Sequence, residues 1–106
     1  MEKPDRINTL LQMLHQEPND LFLNYALGIE LLSKGSRAEA ILQFQKVTGL
    51  NADHIPSYYQ LGKAYESIGN IELALSNYRT GLEKAKAKKD NKSINEFGEA
   101  IFMLED

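Results

Sequence analysis

Residues 58–65 of this chain read YYQLGKAY, and an octapeptide of similar design, NYALGIEL, stands 34 residues earlier at residues 24–31. The same offset also aligns residues further along the chain, where Gly35 matches Gly69 and Ala40 matches Ala74. A self-similarity of about 34 residues is typical of stacked helix–turn–helix units. The repeat therefore predicts a helical scaffold built from similar hairpins.

Length and composition restrict the class of protein. With 106 residues, 42% of them hydrophobic and 25% charged, we expect one globular domain. The absence of cysteine excludes disulfides, thiolate nucleophiles and sulfur-based metal sites. No signal peptide and no apolar run of about 18–20 residues is visible, so we expect a cytoplasmic protein that does not bind membranes. A net charge of −3 argues against nucleic acid as a partner.

Apolar residues recur at spacings of three and four throughout, which predicts about six helices and no strands. We expect helices over about 5–16, 20–34, 37–50, 55–68, 71–88 and from Ser93 onward. Gly35 and Gly69 are placed to end helices. Ser36 with Glu39, and Ser93 with Glu96, match the pattern of a capping box. The predicted interior faces are Ala40, Ile41, Phe44 and Val47, then Leu73, Ala74, Tyr78 and Leu82, and finally Ile94, Phe97, Ile101 and Leu104.

These patterns resemble the tetratricopeptide repeat family. Its Leu-Gly pair, aromatic, alanine and second aromatic are matched by Leu61-Gly62, Tyr65, Ala74 and Tyr78, and less fully by Leu27-Gly28, Leu31, Ala40 and Phe44. The resemblance implies an all-α, right-handed stack of antiparallel helix hairpins. It divides the single domain into a truncated half repeat (1–20), two full repeats (21–54 and 55–88) and a C-terminal capping helix (89–106).

Close packing of two helices needs small residues opposite large ones. The predicted packing set is Leu27, Gly28, Ala40, Phe44, Tyr58, Leu61, Gly62, Tyr65, Ala74 and Tyr78. Several residues depart from the family pattern, namely Asn24, Leu31, Ala52 and Gly81. Asn24 replaces a bulky aromatic, and Gly81 should cost its helix about 1 kcal/mol relative to alanine.

The sequence gives no support for catalysis. His15 and His54 are the only residues expected to titrate near neutrality, and each is predicted to be a solvated surface side chain. There is no glycine-rich phosphate loop and no outstanding pair of carboxylates. We therefore predict a protein that is not an enzyme and has neither a catalytic residue, a metal site nor a cofactor.

The resemblance implies binding of a protein or peptide in a concave groove formed by the first helices of successive repeats. The candidate groove residues are Phe22, Tyr25, Ile29, Tyr59, Gln60, Lys63 and Glu66. Family members that grip acidic chaperone tails use basic and amide side chains at set positions. Because those positions hold Phe22, Ala26 and Gln60 here, a charged clamp of that type is not expected.

Two other functions stay open at this point. The last helix carries Phe102 and Met103 beside its buried stripe, and this apolar area favours self-association into a homo-oligomer. A lysine run also lies near the end of the fifth helix, where positive charge complements the exposed helix carbonyls. The alternative for this run is an accessory subunit that binds an acidic partner. The run consists of Lys84, Lys86, Lys88, Lys89 and Lys92.

Overall fold

A computed structural model describes residues 5–105 of the chain. These residues form six α-helices and no strand, as the periodicity predicts. The helices are α1 (Arg6–Gln16), α2 (Leu21–Ser33), α3 (Arg37–Leu50), α4 (Ile55–Ser67), α5 (Ile71–Lys88) and α6 (Asn91–Leu104). They fall into two compact units, of which the first ends at Ala52 and contains α1–α3 and the second begins at Asp53 and contains α4–α6.

In the first unit, α1 packs on α2 and α2 packs on α3. The α1–α2 contact buries Leu10 and Leu14 against Leu23 and Leu27. All four predicted inward residues of α3, namely Ala40, Ile41, Phe44 and Val47, are buried.

Asn24 in α2 is fully buried, and both the nitrogen and the oxygen of its side-chain amide form hydrogen bonds. Its side-chain amide donates to the Pro18 carbonyl at 3.0 Å and to the Asp20 carbonyl at 2.8 Å. Its Oδ1 accepts from Gln43 Nε2 of α3 at 2.5 Å. A buried amide is tolerated only when its hydrogen bonds are made, and here they are. Through these bonds Asn24 links the α1–α2 loop to α3. Asn24 is thus a structural bridge where the family pattern has an aromatic ring.

The second unit repeats this design around α5, which packs on α4 and α6. Its core contains Ile55, Tyr58, Ala74, Tyr78, Ala85 and Phe97. Ile94, Ile101 and Leu104, the other members of the predicted α6 stripe, are half-buried and pack against this core. Leu73 was predicted to face inward but is 41% exposed. The buried face of α5 runs through Ala74, Tyr78, Gly81 and Ala85, and Leu73 lies outside that line.

Three glycines set how closely the helices approach. A Cβ atom on Gly28 would lie 2.6 Å from Cε1 of Phe44, and one on Gly62 would lie 2.6 Å from Cζ of Tyr78. A Cβ on Gly81 would clash with the ring of Phe97 and would lie 2.9 Å from Cβ of Tyr58. In every case the aromatic residue stands sixteen positions after the glycine. Gly81, predicted only to weaken α5, is therefore where α6 docks.

The turns after α2, α4 and α5 share one geometry. The N–H groups of Ser36, Asn70 and Asp90 donate to carbonyls five residues earlier, at 2.9, 2.9 and 3.0 Å. This bond requires a left-handed residue just before the donor. Gly35 and Gly69 fill that position with φ of +83°, whereas the third turn uses Lys89 with φ of 57°.

Both predicted capping boxes are wrong. Ser36 is the N-cap of α3 but makes no side-chain cap bond. Its own N–H already donates to the Leu31 carbonyl, so Glu39 cannot accept it. At the last helix, Asp90 rather than Ser93 is the N-cap, and Asp90 Oδ1 accepts from Ser93 N at 3.2 Å. The carboxylate suits the positive end of the helix dipole, so α6 begins earlier than expected. The hydrogen bonds from Ser93 lower the pKa of Asp90.

Candidate functional site

The second unit contains a groove of about 420 Å³ between α4 and α6, with α5 beneath it. Helix α4 contributes three side chains at spacings of four and three, which places them on one face of the helix. The lining residues are Tyr59, Lys63, Glu66, Tyr78, Glu96, Glu99, Ala100 and Met103. Three of the seven predicted groove residues, Tyr59, Lys63 and Glu66, therefore meet here.

The floor of this groove is a cluster of three aromatic rings. The Tyr59 ring centroid lies 5.8 Å from that of Tyr78 and 5.8 Å from that of Phe97, and the last two are 6.4 Å apart. Tilted and edge-on pairs at these separations are favourable arrangements for aromatic rings. Because Tyr78 and Phe97 are almost completely buried, Tyr59 rests on a fixed support.

Two polar side chains of α4 already have partners within the groove. The Tyr78 hydroxyl donates to Glu66 Oε2 at 2.5 Å. Burial raises the pKa of the Tyr78 phenol, and the Glu66 carboxylate raises it further. The Lys63 ammonium lies 5.7 Å from the centre of the Tyr59 ring, within the range of a cation–π contact.

The opposite wall comes from α6, which the sequence prediction did not include. Glu96 and Glu99 lie one turn apart there, with Ala100 and Met103 beside them. Glu96 and Glu99 are exposed. With Lys63 and Glu66 on α4, the groove has three carboxylates to one ammonium, so it attracts positive charge. The sequence does contain a signal for this wall. Residues 96, 99, 100 and 103 have helical spacing, which places them on one face of α6 beside its buried stripe.

The other four predicted groove residues lie elsewhere. Gln60 is half-buried on α4 and does not line this groove. Tyr25 and Ile29 are half-buried on α2, and the Tyr25 ring centroid lies 5.6 Å from that of Phe44. Phe22 is 76% exposed and lines a separate cleft of about 440 Å³ in the first unit, which also contains Met13 and Leu23.

The two histidines differ in their surroundings. His15 is exposed near the end of α1, as predicted. His54 is half-buried at the N-cap of α4, where its Nδ1 lies 2.8 Å from Oγ of the fully buried Ser57. Burial lowers the pKa of His54. The prediction of a solvated His54 is therefore wrong, because its ring is half-buried and contacts the buried Ser57 hydroxyl.

The lysine run is divided between ion pairs and the turn after α5. Lys84 Nζ lies 3.1 Å from Asp53 Oδ1, and Lys86 Nζ lies 3.8 Å from Glu83 Oε1. Lys88, Lys89 and Lys92 are exposed around the start of α6. Between residues 5 and 105 no group of three or more histidine, aspartate or glutamate side chains is arranged to hold a metal ion. None of the helices in that range is long and apolar enough to span a membrane.

Comparison with known proteins gives consistent similarities. The family model described as tetratricopeptide repeat matches residues 55–88. Solution and crystal structures of a tetratricopeptide repeat domain protein from Salinibacter ruber are 31% and 30% identical to this chain, with TM-scores of 0.78 and 0.76. The alignments cover 83% and 81% of this chain and 89% and 96% of those chains.

A protein from Bordetella parapertussis, at 19% identity, shares the fold with a TM-score of 0.84 over 98% of this chain and 89% of that one. No curated protein sequence matches the chain. These structural similarities confirm the predicted all-α class of helix hairpins.

Proposed function

Since this chain belongs to the tetratricopeptide repeat family, whose fold generally serves protein–protein interaction, we propose that it binds a segment of a partner protein in the groove between α4 and α6. In this proposal it acts as a non-enzymatic adaptor that uses neither a metal nor a cofactor.

The observation that carries the proposal is the aromatic floor of the groove. A recess of about 420 Å³ is within the usual size range of ligand pockets and accommodates a few side chains of a peptide. Tyr59 and Met103 offer apolar contact area, and the rings beneath Tyr59 are already ordered. Because binding then orders few additional side chains, the entropy cost of association is low on this side.

The charges of the groove suggest the chemistry of the segment. Glu66 is engaged by Tyr78 and Lys63 lies over Tyr59, so Glu96 and Glu99 are the charges most open to a ligand. A segment with an apolar side chain for the aromatic floor and a lysine or arginine for the α6 wall is complementary to this arrangement. Exposed charge pairs are screened by salt, so binding should weaken as ionic strength rises.

The proposed second contact surface for the partner protein lies on the first unit. Tyr25 and Ile29 on α2 correspond to Tyr59 and Lys63 on α4 in the 34-residue register, and Phe22 is strongly exposed. In this proposal the chain consists of a half repeat at 1–20, repeats at 21–54 and 55–88, and a capping helix at 89–106. A cytoplasmic location fits the composition, which contains no cysteine.

A selection from a random-peptide display library on the immobilised chain tests the proposal. We expect enrichment of peptides that combine lysine or arginine with a large apolar residue. The variant Glu96→Gln/Glu99→Gln should lose the preference for basic residues, while Glu39→Gln/Glu72→Gln, which alters exposed acids outside the groove, should retain it. Failure to enrich any peptide, or equal selection by both double variants, would contradict the proposed groove.

A further inference from the structure

Helix α6 contains a glycine, Gly98, whose missing side chain leaves a space that residues 5–105 do not occupy. A Cβ atom on Gly98 would have no neighbour within 4 Å. Gly28, Gly62 and Gly81 each accept an aromatic ring from the next helix. Gly98 thus leaves an open space, as Gly49 does in α3, and we call this space of α6 the Gly98 socket. An aromatic ring fills the corresponding space at the three other glycines.

The matching side chain lies one helical turn away on the same helix face. Phe102 follows Gly98 by four residues and is 78% exposed, the highest value among the large hydrophobic side chains that are exposed between residues 5 and 105. Half-buried Ile94 and Ile101 lie beside this face. Helix α6 therefore carries both a socket and a side chain that fits such a socket.

We propose that α6 pairs antiparallel with α6 of a second copy of this chain, with Phe102 of each copy entering the Gly98 socket of the other. A two-fold interface requires that if residue i meets residue j, residue j also meets residue i. Gly98 and Phe102 stand at equal distances along the helix from Ala100, so a two-fold axis at the level of residue 100 brings them together twice.

The distribution of charge along α6 favours a second copy of this chain as its partner. Lys88, Lys89 and Lys92 lie around the start of α6, and Glu105, which pairs with Arg79 of its own copy and is still exposed, follows its end. An antiparallel pair brings the lysine-rich start of one helix near the acidic end of the other, and the two helix dipoles oppose each other favourably. A single helix pair buries less surface than a standard interface, so we expect a weak dimer with a dissociation constant roughly in the micromolar range or above.

Sedimentation equilibrium over a range of concentrations tests this pairing. The wild-type mass should rise from 12.0 kDa toward twice that value. Phe102→Ala should raise the dissociation constant about tenfold or more, since it removes the buried side chain twice. The matched control is Phe22→Ala, which removes a phenylalanine of similar exposure from the first unit and should leave the dissociation constant unchanged.

A second pair of variants addresses the socket. Gly98→Leu should abolish the dimer by filling the space, whereas Gly49→Leu, at another helical glycine with open surroundings, should not. Circular dichroism checks that each variant is folded. A wild-type mass that stays at 12.0 kDa at millimolar concentration, or equal sensitivity to Phe22→Ala and Phe102→Ala, overturns the proposal.

The register is tested by cross-linking. Because the chain has no cysteine, Asn95→Cys and Glu105→Cys each introduce a single thiol. With a short bis-maleimide, a mixture of the two variants should give more cross-linked dimer than either variant alone, since residues 95 and 105 face each other in the proposed pair. Cross-linking of the Asn95→Cys variant alone at the same yield would indicate another register and reject this one.

Discussion

Gly62 of α4 lies so close to Tyr78 of α5 that a Cβ atom at residue 62 would approach Cζ of the tyrosine to 2.6 Å. The reason for glycine here is space rather than backbone conformation, because Gly62 lies within a helix. The same relationship joins Gly28 to Phe44 and Gly81 to Phe97. Three helix pairs therefore share the same kind of contact, in which a buried aromatic ring occupies the space that a Cβ atom would take at the glycine.

Gly62→Ala should destabilise the protein by about 1–3 kcal/mol, because the methyl group displaces the ring of a fully packed tyrosine. This outcome opposes the helix propensity, which favours alanine by up to about 1 kcal/mol. Gly49→Ala is the matched control, since its Cβ meets nothing and stability should be unchanged or slightly higher. Urea unfolding measures both, and a Gly62→Ala variant as stable as wild type would contradict the contact.

Gly81→Ala should destabilise by a similar amount, about 1–3 kcal/mol, through collision with the Phe97 ring. Phe97→Leu removes the ring and leaves room for a methyl group at residue 81. The double variant should then be more stable than the sum of the single effects predicts, by about 1 kcal/mol or more. Strict additivity in a double-mutant cycle would show that the two residues are not coupled.

Asn24→Ala should cost about 2–4 kcal/mol, because it leaves Gln43 and the carbonyls of Pro18 and Asp20 without their bonds to this side chain. Asn24→Tyr, which restores the aromatic typical of the family, should also destabilise since it removes the same bonds. Gln12→Ala, at an exposed position of α1, is the control and should be nearly neutral. A stable Asn24→Tyr variant would mean that the hydrogen bonds contribute little.

His54 should make stability fall with acidification. Its folded-state pKa is lowered by burial from the ordinary value of 6.5, so the unfolded chain binds the proton more readily. The contribution of the neutral side chain is thus complete above 6.5 and is lost as the pH falls from there through the folded pKa. Urea unfolding at about pH 7.5 and about pH 5.5 should show a smaller loss for His54→Asn than for wild type. His15→Asn, at an exposed site, should behave as wild type does.

The sequence predicts the helices well because their signals are local and repeated. Each apolar stripe and each glycine turn can be read within a few residues, and the 34-residue offset pairs Gly28 with Gly62. The same offset does not predict the packing role of Gly81. It aligns Gly81 with Val47, whereas the contact between α5 and α6 follows the sixteen-residue spacing from a glycine to an aromatic.

Caps and the groove are harder to predict because they depend on competition and on tertiary structure. Asp90 and Ser93 are both suitable caps, and the sequence does not tell which of them begins α6. The longer Asn70 side chain accepts a hydrogen bond from Leu73 N in the first turn of α5. Ser36 has similar backbone angles, but its shorter side chain makes no such bond to α3. The α6 wall of the groove exists only once Phe97 is docked on Gly81, so three of the seven groove candidates are together while Glu96, Glu99 and Met103 were missed.

The left-handed lysine between α5 and α6 should make that turn easier to open than the two turns that use glycine. A side chain at positive φ carries roughly 1 kcal/mol of strain that Gly35 and Gly69 avoid in the other two turns. This strain is released when α6 detaches locally, so its backbone amides should exchange with deuterium sooner than those of α4 and α5. Lys89→Gly would then slow that exchange, at the loss of one positive charge.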